Sequence, residues 1–199
     1  MIYSLRTVPD EKEGVFTIKL KYRRFFIFIC TICAVSVIMN ITNARRSEDI
    51  RQGYVYSVIK QLMNLEIVLS DSYHSLERGE DIPERRIWEI ESTIDSINSS
   101  LPQLMRHNKD RWQTPNMILL RRHVSGLMYQ ANEGDPGPAM DFLEHRIPHL
   151  LELVRELSLE GSSEWHREPN VKISTRQLFS LINAFMKGID DEIRGYRHF

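Results

Sequence analysis

The chain has 199 residues, 42% hydrophobic, 27% charged and 9% aromatic, which is ordinary globular usage with room for one domain and an appendage. Nine Gly, eight Pro and two Cys exclude long-range disorder, collagen and a disulfide-stapled mini-protein. The net charge of −1 is split: residues 1–24 carry six Lys/Arg against three Asp/Glu, residues 45–199 carry 20 against 24, and neither part has the basic stripe of a nucleic-acid binder.

In residues 1–24, Ile2–Val8 and Val15–Tyr22 flank Pro9, Asp10 and Gly14. Phe16, Ile18, Leu20 and Tyr22 alternate with Thr17, Lys19 and Lys21, which predicts a β-hairpin. A lone hairpin is marginal in water, so this cytoplasmic tail is expected to pair with itself or to lie on lipid through its lysines. It is too short for a kinase or cyclase output domain.

Phe25–Ala44 contains no charge, and 20 residues at about 1.5 Å each match the hydrocarbon thickness of a bilayer. Thr31, Ser36 and Thr42 can bond back to their own helix. The run is apolar around its whole circumference, unlike a buried globular helix, and is longer than a signal-peptide core. Thr42-Asn43-Ala44 is also a poor cleavage site, so a single uncleaved transmembrane signal-anchor is the expectation. Lys12, Lys19, Lys21, Arg23 and Arg24 before the span outnumber Arg45, Arg46 and Arg51 after it. That asymmetry places the N-terminus in the cytoplasm and residues 45–199 outside it. Cys30 and Cys33 share one face of this helix; without a second Cys pair or a βαβ pattern they read as small apolar residues.

Beyond Arg45, apolar residues recur at heptad spacing in five segments, each an amphipathic helix. The first seam is Val55, Val58, Leu62, Leu65, Leu69 and Leu76, with Ser72 its one polar member. The second is Ile87, Ile90, Ile94, Ile97, Leu101 and Leu104, and the third Met117, Leu120, Val124, Leu127 and Ala131. The fourth is Met140, Leu143, Ile147, Leu150, Val154 and Leu157; the fifth runs Leu178, Leu181, Phe185, Ile189, Ile193 and Tyr196. Ser47, Thr114-Pro115, Pro83 and the Ser174/Gln177 pair supply start signals, and Gly53 offers a break in the first helix. Pro102 and Pro148 should kink or shorten their helices. Short connections at Gly79–Ile82, Asn108–Gln113 and Gly134–Pro138 imply antiparallel neighbours, with a longer stretch, Gly161–Lys172, before the last helix. The expected fold is all-α: one transmembrane helix, then an antiparallel four- to five-helix bundle over residues 45–199. None of these helices is stable alone, so the seams must meet in a bundle or in a dimer.

Candidate chemistry is sparse. His145 and His149, with Asp141 and Glu152, have one-face metal spacing, but their heptad positions point to solvent and no His-Glu-x-x-His motif exists. Glu89, Glu91 and Asp190–Glu192 read as charged faces, and neither a nucleophile elbow nor a phosphate-cradling loop occurs. No catalytic, cofactor-binding or metal residue is therefore assigned, no cofactor is expected, and the chain is read as a non-enzyme. Of the 20 basic residues from position 45 on, 16 are Arg; Arg85-Arg86 and Arg121-Arg122 are read as ion-pairing groups. Trp88 reads as core edge, while Trp112 and Trp165, in loops with Arg111, His166 and Arg167, resemble binding anchors but are read as packing on the helix ends. The functional expectation is a membrane-anchored interaction protein, its partners the bilayer and a protein or a second copy, with no nucleic acid. The alternative is a ligand-sensing input module signalling through its membrane helix to a separate output protein, for which Ser72 in an apolar seam is the pointer to a cavity.

Overall fold

The structure, a computed structural model, describes residues 11–106, 114–159 and 167–196, with side chains for 25–105, 114–159 and 167–189. Five helices are described: α1 (Glu11–Glu77), α2 (Glu84–Arg106), α3 (Ile118–Asn132), α4 (Gly137–Glu156) and α5 (Thr175–Tyr196). Among the described residues there is no strand, only an isolated antiparallel bridge between Ser158 and Pro169. The protein is thus all-helical, with one long apolar N-terminal helix. It divides into two compact units, Met1–Glu48 and Asp49–Phe199.

In the first unit the expected hairpin is not found. Val15–Tyr22 is helical, part of α1, and Ile2–Val8 lies outside the described residues. The alternation covers only seven residues and runs without a breaker into the apolar stretch; a helix already nucleated there gains one hydrogen bond per added residue. The large side chains from Phe25 to Ile41 are exposed, Phe26 at 68% and Ile38 at 63%. Thr31 and Thr42 donate their hydroxyls to the carbonyls of Ile27 and Ile38, both at 2.9 Å, so these two polar groups are satisfied within the helix. Ser47 is interior to α1 and starts nothing.

In the second unit α1 is helical through Gly53 and ends in a Schellman motif. Gly79 takes φ +70°, its N–H donates to the Leu76 carbonyl, and the Glu80 N–H donates to Ser75. The same motif ends α3: Gly134 has φ +103°, with bonds from Gly134 to Ala131 and from Asp135 to Gln130. Pro83 directly precedes α2, as its fixed φ suits. α3 starts three residues after Pro115; just before it the Met117 N–H donates to Oδ1 of Asn98 at 2.9 Å, and the Ile118 N–H to Oδ1 of Asn116 at 3.0 Å. Ser174 and Gln177 form the expected capping box, with Gln177 N–H on Ser174 Oγ at 3.2 Å and Ser174 N–H on Gln177 Oε1 at 3.4 Å. Pro102 and Pro148 lie inside α2 and α4, which both continue past them.

Buried apolar side chains of this unit form one core cluster. All the expected positions of α2, and all the apolar ones of α1, are buried. The α1 stripe is wider than a coiled-coil seam, since Ile59, Met63 and Val68 are buried too. α2 packs on α3, α3 on α4, and α5 on both α3 and α4. Asn64 meets Thr93 at 3.3 Å and Asp71 meets Arg86 at 2.8 Å, so α1 and α2 run antiparallel. Asn132 bridges the N–H and C=O of Ile82, each at 2.8 Å, and does the same for α2 and α3. Two helices bury a neighbouring stripe along with their seams: Leu143, Leu150 and Val154 of α4, Leu157 at its C-cap, and Leu178 and Ile189 of α5 are fully buried as the spacing implied. In α4, Ala139, Phe142 and Leu153 are buried while Met140 and Ile147 are half-buried. In α5, Phe179, Ile182 and Met186 are buried while Leu181 and Phe185 are half-buried. Each helix has two adjacent apolar stripes, and the neighbours it meets decide how far each goes in.

Candidate functional site

The second unit carries a groove of about 890 Å³ beside α1. Seven of its lining residues, Lys60, Met63, Glu66, Ile67, Ser70, Asp71 and His74, come from α1, about 21 Å of helix at 1.5 Å per residue. Leu151 of α4 and the pair Arg167-Glu168 complete the wall. The 3,4 spacing of Lys60, Met63, Ile67, Ser70 and His74 places them on one line, next to but distinct from the buried seam.

Met63, Ile67 and Leu151 supply apolar surface, and Ile67 is 54% exposed despite its chemistry. Arg167 pairs with Glu66 at 3.6 Å, with side chains only 12% and 16% exposed. Its backbone is held where Leu159 N–H donates to Glu168 C=O at 2.8 Å and Asn170 N–H to Leu157 C=O at 2.9 Å. Arg51 of α1 donates to the Ile173 carbonyl at 3.0 Å and reaches that of Val171 at 3.5 Å, fixing the same segment from the other side. At the far end His74 Nδ1 lies 2.9 Å from Glu77 Oε2. Partial burial, followed by the charges of Glu77 and Glu144, raises the Tyr73 phenol above its ordinary range. The groove therefore offers an apolar strip between charged rims, a shape that suits an apolar side-chain row or a small amphiphile.

Ser72 does not open a cavity. It is 1% exposed and donates its hydroxyl to the Val68 carbonyl at 2.8 Å, its own helix one turn back. His145 and His149 are exposed, and the His145 ring nitrogen lies 2.9 Å from the Asp141 carbonyl. Among the described residues no group of three or more His, Cys, Asp or Glu side chains is placed to hold a metal ion. Arg86 and Arg121 do form ion pairs, Arg86 with Asp71, Arg121 with Glu91 and Asp95, both at 3.4 Å. Trp88, expected at the core edge, is 67% exposed. It follows Ile87 on α2 and falls on the solvent side once Ile87 and Ile90 point inward. Trp112, Trp165, Arg111 and His166 lie outside the described residues. Cys30 and Cys33 are free and exposed on the apolar helix.

Of the groove residues, Arg167 stands in a loop the sequence marked as anchor-like, while Lys60, Glu66, Ile67 and Glu168 were not singled out. Ile67 was the available signal: an isoleucine two positions past one seam residue and two before the next, in a helix whose seam is otherwise complete. Compared with protein-family models, curated proteins and solved structures, the chain matches none.

Proposed function

We propose that this chain is a single-pass membrane protein whose Phe25–Ala44 helix crosses the bilayer and whose residues 45–199 form an antiparallel helical bundle outside the cytoplasm. The bundle serves, without enzymatic chemistry, to hold a protein partner or a second copy at the membrane surface. One observation carries the reading: near the N-terminus, a helix long and apolar enough to span a membrane exposes its apolar side chains all round. Water penalises that surface at about 25 cal/mol per Å², and a bilayer removes the penalty. The groove beside α1, with exposed Ile67 between charged rims, is the surface for the partner. The five-to-three excess of Lys/Arg before the span supports the orientation. Crosslinking in intact membranes, followed by purification in detergent, tests the interaction. Adducts that weaken on Ile67→Asp are expected; recovery of monomer alone contradicts it.

A second reading, an input module that senses a small ligand and signals through α1, draws on the same groove. It is favoured if a panel of small amphiphiles shifts the melting temperature and Ile67→Asp abolishes the shift.

A further inference from the structure

We propose that the end of the second unit at which α1 enters it is a membrane-contact face, with exposed aliphatic side chains seated in the headgroup layer of the bilayer that holds Phe25–Ala44. The proposal rests on the anchored reading above and names a surface that reading does not assign. Ile50 stands near the start of the unit and is 39% exposed. Arg51 beside it is bonded to the carbonyls of Ile173 and Val171. The backbone bonds of Asn170 to Leu157 and Leu159 to Glu168 bring Leu159, 41% exposed, to the same end. The α1–α2 register (71 with 86, 64 with 93) sets Asn98 level with about residue 59, and Asn98 holds the first turn of α3. Ile118 and Leu119, each 43% exposed, are therefore about nine residues, or ~13 Å, further along.

The covalent chain says what covers this end. Ala44 and Ile50 are six residues apart, and even fully extended chain spans at most ~3.6 Å per residue, so Ile50 stays within ~22 Å of the span whatever angle the two units take. Half-exposed Ile50, held that close to lipid, and Leu159 at the same end gain by entering the interface, as monotopic surfaces do, with Ile118 and Leu119 at its margin. Exposed Lys172 and Arg176 are offset at this end by Asp49, Glu156 and Glu168. The contact is thus led by apolar burial, and zwitterionic lipid suffices for it.

The test uses the full chain with Cys30→Ser and Cys33→Ser, in phosphatidylcholine vesicles containing lipid spin-labelled near the headgroup or mid-chain. Single fluorophores are placed through Leu159→Cys, Leu119→Cys, Val35→Cys or Tyr129→Cys, the last on the turn of α3 nearest Asn132, at the opposite end. The expected result is several-fold greater headgroup-level quenching at 159 than at 129, an intermediate value at 119 should 159 prove intolerant of the label, and mid-chain quenching at 35. Quenching at 35 with 159 and 119 no different from 129 overturns the membrane face and leaves the anchor intact, and label-to-label contact at 159 would then assign the face to a second copy. No mid-chain quenching at 35 overturns the anchored reading and this proposal with it.

Discussion

Gly126 and Gly134 lie eight residues apart in and just beyond α3, and alanine at the two positions is expected to act in opposite directions. Gly126 is exposed in the helix interior, and an added Cβ meets nothing within 4 Å. Gly126→Ala should stabilise by about 0.4–1 kcal/mol, mainly by restricting the unfolded chain. Gly134 has φ +103° at the Schellman turn, where a Cβ is sterically opposed, so Gly134→Ala should cost about 1–2 kcal/mol. Urea unfolding of the full chain in detergent, followed by circular dichroism, separates the signs. Asn132→Ala removes both bonds to Ile82 and should cost about 1–3 kcal/mol by the same measurement. The Arg78 guanidinium, at 2.8 Å from Glu80, holds that carboxyl below its ordinary range by hydrogen bonding and charge. A depressed carboxyl pKa adds stability above the unfolded value, and that stability is lost as pH falls through the folded one. The pair is exposed, so an NMR titration of Glu80 is the readout, with Arg78→Ala expected to return it to the ordinary carboxylate range.

At the scale of the element, legibility depended on how many faces of a helix are apolar. α2 has one stripe, and Ile87, Ile90, Ile94, Ile97, Leu101 and Leu104 are all fully buried as the spacing implied. α5 has Leu178, Phe179, Leu181, Ile182, Phe185 and Met186 on nearly adjacent lines, and periodicity cannot choose among them without knowing that α5 meets α3 as well as α4. Substitution discriminates the two registers. Phe179→Ala should cost about 3–5 kcal/mol, and Leu181→Ala at the half-buried position clearly less; the seam read from sequence predicts the reverse order. The groove was illegible for a related reason. It takes α1, Leu151 and Arg167-Glu168 from three distant stretches, and only the fold brings them together. The start and stop chemistry was read correctly at Ser174/Gln177 and misread at Pro115, where Asn116, one residue on, accepts from the first N–H of α3 and a distant Asn98 accepts from Met117.

For the whole molecule, two facts plain in the sequence carry the account: an uncharged 20-residue run, and a following chain of amphipathic helical segments with no β-rich section. The first makes an apolar surface that water disfavours; the second makes a core that can form only when several helices share it. Flotation of the full chain with phosphatidylcholine vesicles after an alkaline carbonate wash tests the anchor most directly, with Val35→Asp/Ile38→Asp as comparison. The native chain should float with lipid after the wash and the double variant should stay at the bottom of the gradient. A native chain released by carbonate, or a double variant that floats equally well, contradicts the account.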